Sequence, residues 1–177
     1  LVPWETPPFR VLDVGGGTGV FAYEFRDQDW QPYVIDADRS GAFIEEEFEI
    51  PFIARPYEAR SFEDTFHLVT LIFVLEHLRN PQALLRELQR DIYPQSVIYI
   101  EVPDSISFDL KPPDDDIFNS CHLWMFSPTS LTAILDQAGY EVCALERSMT
   151  VRGHCAISAL AQPCVRHHGT PVTRVRD

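Results

Sequence analysis

Short apolar runs alternate along the chain with stretches in which apolar residues recur every three or four positions, which predicts strands and helices in turn. Val11, Leu12 and Val14 make the first run, short enough for a strand buried on both faces, and it leads directly into Gly15, Gly16, Gly17, Thr18 and Gly19. Val20, Phe21, Tyr23 and Phe25, with Glu24 and Arg26 between them, predict a crossover helix. Residues 32–36 read as a second strand. Residues 40–48 read as a helix that turns Phe43, Ile44 and Phe48 inward and Glu45, Glu46 and Glu47 outward. Residues 51–55 are a third strand, and 67–75, the most apolar run, a central parallel one. Asn80 and Pro81 are a cap and first-turn pair for a helix whose inner face is Leu84, Leu85, Leu88 and Ile92.

Residues 95–102 give a fifth strand, after which the alternation lapses until Ser127. That connection is long for a compact domain, a length that usually accompanies function or disorder. Ser127 and Pro128 then open a helix with Leu131, Ile134 and Leu135 inward, and Gly139 ends it. Residues 140–145 and 154–161 close the sheet as an antiparallel pair.

The chemistry gathers where strands end. Glycine reaches φ > 0 without a Cβ clash and lets a ligand approach the backbone, so a strand, a glycine turn and a helix together describe a nucleotide-type site. The spacing is G-x-G-x-G. A dinucleotide fingerprint would need glycine at position 20, where this chain has Val20, and this disfavours a nicotinamide oxidoreductase. Asp36 ends the second strand, 17 positions beyond Gly19, where an acceptor-only carboxylate suits ribose hydroxyls.

Composition narrows the partners. With 177 residues, of which 45% are hydrophobic, the chain has material for one sizeable core. Its net charge is -13, from 14 Lys and Arg against 27 Asp and Glu, which disfavours a nucleic-acid substrate. The longest nearly apolar run, 68–75, is too short to span a membrane, and no charged-then-apolar leader opens the sequence, so the cytoplasm is the expected location. Cys121, Cys143, Cys155 and Cys164 have no metal-ligand spacing and are expected to be reduced. Asp114, Asp115 and Asp116 in a proline-containing loop read as solvated, and no metal is expected.

Asp13 followed by the 15–19 loop resembles the first motif of class I methyltransferases that use S-adenosyl-L-methionine (SAM). Leu75-Glu76-His77 followed by Asn80-Pro81, then Ile100-Glu101-Val102-Pro103, resembles the small-molecule enzymes of the ubiquinone-biosynthesis and sugar C-methyltransferase type. Phe66-His67 stands where that family often has Phe-Asp. The resemblance covers about residues 10–162 and implies a Rossmann-like, doubly wound α/β fold: a mostly parallel seven-stranded sheet, helices on both faces and an antiparallel C-terminal strand. It leaves 1–9 as an N-terminal extension and 163–177 as a loosely ordered tail. Enzymes of this kind carry helices before the first strand, so the chain reads as a possible domain of something longer.

The resemblance also implies roles. Asp13 would hold the methionine end of SAM, Gly15, Gly16, Gly17 and Gly19 would admit it to the backbone, and Asp36 with Ala37 would take the ribose. Tyr57 and Glu58 lie where the family meets the adenine ring. Glu76 would orient a histidine or the donor. His77 is the first choice of general base and His122 the second, because imidazole titrates near neutrality. Aromatic bulk beside His122, in the stretch His122-Leu123-Trp124-Met125-Phe126, would line an acceptor pocket. The function implied is methyl transfer to oxygen or carbon of a small-molecule acceptor, with oligomeric state open. The alternative is a SAM-binding module without catalysis, used for pairing or regulation.

Overall fold

The computed structural model describes residues 6–27, 29–112, 115–118, 120–150 and 153–164. Seven strands form one sheet: β1 Phe9–Val14, β2 Trp30–Asp36, β3 Phe52–Ala54, β4 Phe66–Ile72, β5 Ile92–Pro103, β6 Tyr140–Met149 and β7 Cys155–Pro163. Their order is β3-β2-β1-β4-β5-β7-β6. Neighbours are parallel from β3 to β5, and β7 runs antiparallel to both β5 and β6. Chain order reverses between β1 and β4, so a crevice opens at their carboxyl ends, the usual ligand position in such sheets.

Four helices cover the sheet: α1 Val20–Tyr23, α2 Phe43–Phe48, α3 Pro81–Leu88 and α4 Pro128–Ala138. Val11, Leu12, Val69, Leu71, Ile98 and Ile100 are fully buried, as expected of strands covered on both faces. Leu85 and Leu88 of α3 and Leu131 and Leu135 of α4 are inserted into the same core. Both helices begin at the expected caps. Asn80 Oδ1 accepts from the Ala83 N–H at 3.0 Å. Ser127 and Ser130 cap each other's backbone reciprocally, and Gly139 ends α4 at φ 90°.

Several boundaries differ from the sequence reading. The first strand begins at Phe9, which pairs with Trp30. The helix after the glycine loop is only four residues long, because Phe25 folds back onto Trp30 and Phe21. The apolar run 67–75 does not stay extended. Phe73 takes φ 54°, a conformation costly for an aromatic residue, and 75–77 form a single tight turn instead. Ile92 belongs to β5 and not to α3, because the chain turns at residues 89–91 and Asp91 accepts the Phe66 N–H through its carbonyl. The residues from 165 onward, and 113–114, lie outside those described. No helix among the described residues is long and apolar enough to cross a membrane.

Candidate active site

Asp13 ends up directly beneath the glycine loop. It is 2% exposed, its Oδ1 accepts from the Thr70 hydroxyl at 2.6 Å, and its Oδ2 lies where a side chain at Gly16 would have to pass. Burial raises its pKa to about 6, against the lowering effect of the Thr70 hydrogen bond; the charge of Asp36 adds to the rise. Gly15, Gly17 and Gly19 all have positive φ. At Gly17, φ 54° is left-handed and no described atom lies within 4 Å of a would-be Cβ, so this turn presents bare backbone to the crevice.

Asp36 braces that turn. Its Oδ2 accepts the Gly17 N–H at 2.8 Å and its Oδ1 the Asp38 N–H at 2.7 Å, and each oxygen keeps lone-pair capacity for a hydroxyl. Ala37, next in the chain, is exposed. Asp38 caps the tight turn 39–41 through the Ser40 N–H. Gly41 in that turn is a site residue that sequence reasoning missed: a Cβ there would collide with the Gly17 carbonyl oxygen. Only the small gap between the two loops shows it, and nothing local in the sequence does. Thr70 was also missed, although a hydroxyl inside the run 68–75 is a readable signal.

Tyr57 and Glu58 are not brought to the loop. Tyr57 is buried in the core, and its hydroxyl donates to Asp91 Oδ2 at 2.6 Å, near the amino ends of β4 and β5 and so away from the crevice. Glu58 sits in an exposed turn closed by Ser61. The register instead places Ala54 beside Asp36, so Ala54 and Arg55 occupy the position expected of Tyr57 and Glu58.

Glu76, His77 and His122 do converge. A Cβ at Gly15 would meet the Val74 side chain, so the turn carrying Glu76 and His77 begins against the glycine loop. Distant chain segments are clasped there: Leu123 and Trp124 donate their N–H groups to the Glu76 carbonyl, and the Trp124 indole donates to the Leu78 carbonyl at 2.7 Å. His77 Nδ1 pairs with the Cys121 carbonyl at 3.0 Å and His122 Nδ1 with the Ile117 carbonyl at 2.7 Å. The ring centroids are 4.8 Å apart. Glu76 is 1% exposed, and neither carboxylate oxygen has a hydrogen-bond partner among the described residues; the nearest cationic candidate is His77 Nε2 at 3.9 Å. Burial above all raises Glu76 to about 7, partly offset by the electrostatic pull of its own backbone N–H, which does not reach hydrogen-bond geometry, and the charge of Glu101 adds to the rise. A buried carboxyl beside two imidazoles can accept, hold or relay a proton near neutrality.

Trp124, Met125 and Phe126 line a groove with Asn80, Pro81 and Ile134, between α3 and α4. His122 is not among its lining residues, so the expected pocket of histidine plus aromatics is divided: the histidine faces the crevice cluster, and the aromatic residues face the helices.

A strand, a glycine loop braced by the Asp36 carboxylate and a helix, at the switch point of a doubly wound sheet, define a nucleotide-type site. A family model described as a methyltransferase domain matches residues 1–145, and the chain belongs to that family. It is a SAM-dependent methyltransferase. No curated protein matches in sequence. Among solved structures, the chain is similar to the Burkholderia thailandensis 1,6-didemethyltoxoflavin-N1-methyltransferase, solved with 1,6-didemethyltoxoflavin and S-adenosylhomocysteine. The TM-score is 0.72 at 18% identity, covering 89% of this chain and 72% of that one. It is also similar to the [4+2]-cyclase SpnF (TM-score 0.70, 16% identity, covering 91% and 76%). A third is the putative methyltransferase solved with the Haloferax volcanii Trm112 activator (0.70, 13%, 93% and 86%). At these identities the likeness is one of fold.

Proposed function

We propose that the enzyme transfers the methyl group of SAM to oxygen or carbon of a small-molecule acceptor, with residues 10–162 as the catalytic domain. The observation that carries this reading is the Glu76, His77 and His122 cluster beside the glycine loop. SAM brings an activated methyl, so the protein's work is alignment plus, for a hydroxyl or an acidic carbon, removal of a proton. Gly15, Gly16, Gly17 and Gly19 would receive the donor, and Asp36 with Ala37 its ribose. Asp13 offers a buried negative charge under the methionine end, whose ammonium would offset it. His77 is the base of choice, with His122 next to it.

A small acceptor is supported by the net charge of -13, unsuited to nucleic acid, and by the likeness of the Glu76-His77 and 100–103 segments to ubiquinone-biosynthesis and sugar C-methyltransferases. The B. thailandensis neighbour also acts on a small molecule, at nitrogen. A cytoplasmic location agrees with four cysteines that have no metal-ligand spacing and are expected to be reduced. The test is an acceptor screen with radiolabelled SAM over phenols, enols and amines. The reading expects turnover on a hydroxyl or carbon acid that falls about 100-fold in His77→Ala, within the usual range for general-base catalysis. Donor binding with no turnover on any acceptor would instead favour a binding module.

A further inference from the structure

Glu76, His77 and His122 present more than a proton acceptor. One ligand atom from each lies within 4.8 Å of the others. Both imidazoles face a backbone carbonyl through Nδ1, and a carbonyl accepts only, so each ring carries its proton there. This leaves both Nε2 lone pairs free, the tautomer that metal-bound histidines hold when a carbonyl orients them. Beside them stands a carboxylate that is 1% exposed and without a hydrogen-bond partner among the described residues, an arrangement that is costly unless a cation or a proton answers it.

From this geometry we infer that Glu76, His77 and His122 form a binding site for a divalent transition-metal ion, with zinc-like or cobalt-like ligand preference. Two imidazoles and one carboxylate favour such ions over magnesium or calcium, which take oxygen ligands. Ligand atoms bound at about 2.1 Å around a tetrahedral ion stand about 3.4 Å apart. The cluster must therefore contract by about 1.4 Å at its widest pair. The His77 side chain, 41% exposed, has room to turn inward. Glu101, near enough to act on Glu76 electrostatically, adds negative charge on the β5 side.

Three protein ligands leave one position open on a four-coordinate ion, the pattern of reactive and not of structural sites. With the ion bound, His77 and His122 would serve as ligands and not as bases, and an acceptor hydroxyl placed on the ion would have its pKa lowered by the metal and lose its proton to solvent. Its oxygen would then bond to the methyl carbon while the carbon–sulfur bond breaks, the electron pair leaving with sulfur. This step rests on the methyl-transfer reading above, but the site itself does not.

The experiment therefore uses neither SAM nor acceptor. Chelator-treated protein is titrated calorimetrically with zinc, cobalt and magnesium chlorides, and the cobalt complex is followed by its visible absorption. The site predicts one zinc or cobalt per chain, magnesium binding weaker by at least 100-fold, and imidazole ligation in the cobalt spectrum. Glu76→Gln, close in volume to the native residue, and His122→Asn, whose side-chain amide can still donate to the Ile117 carbonyl, should each weaken zinc binding at least tenfold without changing the melting temperature of the metal-free protein by more than a few degrees. Cys121→Ser should leave it unchanged. Absence of zinc and cobalt binding, binding untouched by Glu76→Gln and His122→Asn, or loss that follows Cys121 overturns the inference. None of these results depends on whether the enzyme methylates a small molecule.

Discussion

Asp13 shows how one side chain carries both fold and function. Its pKa, raised to about 6 from the ordinary 3.8 by burial, means that the folded chain binds this proton more tightly than the unfolded chain does. The sign follows: the Asp13 contribution to stability is most favourable below pH 4, falls as pH rises towards 6, and is level above that, a change of about 3 kcal/mol at most. Asp13→Asn should flatten this slope in melting temperature against pH, and an unchanged slope would assign it elsewhere. Gly41 makes a second prediction at this scale. Gly41→Ala drives a methyl into the Gly17 carbonyl, so the glycine loop must shift and SAM affinity should fall at least tenfold. Calorimetry showing native affinity would mean that the two turns part without cost. The sequence made the glycine loop and Asp36 readable because their spacing is local. Tyr57 and Glu58 were misplaced because the return path after β3 is set by the Asp91 carboxylate, 34 residues further on. His77 and His122 were both readable as candidate bases, but their meeting depends on the clasp of the 121–124 backbone onto the 76–78 turn.

At the scale of elements, the caps explain which boundaries were legible. Asn80-Pro81 and Ser127-Pro128 are chemical start signals, and both helices begin where those residues stand. Asn80→Ala should cost about 1 kcal/mol in denaturant unfolding, while Asn80→Ser should recover most of it, because only the side-chain oxygen is at issue. A loss equal in both variants would point to packing. The end of β4 was not legible: residues 73–75 are as apolar as those before them, and only the left-handed turn at Phe73 swings the chain out of the sheet. That turn is what brings Glu76 and His77 to the crevice. The fold thus accepts a strained aromatic residue where the chain sets Glu76 and His77 beside the glycine loop.

Across the whole molecule, the charge of -13 acts as a field around the crevice. SAM bears a net positive charge and its demethylated product does not, so added salt should slow SAM association while leaving product association nearly unchanged; equal salt dependence of the two would remove the field from the account. The doubly wound architecture was legible from the alternation of runs, and the lone antiparallel strand β7 from the two-strand finish. What could not be read was which strand ends share the crevice, because strand order is a tertiary property.

The central claim is that the loop at 15–19 and Asp36 form a SAM site. The most direct measurement is calorimetric titration of the protein with SAM, S-adenosylhomocysteine and NAD, repeated with Asp36→Ala. The account predicts binding of the first two and not of NAD, with affinity reduced at least tenfold in the variant as the ribose partner and the brace on Gly17 are lost together. Failure of SAM to bind, or equal affinity in Asp36→Ala, would contradict it.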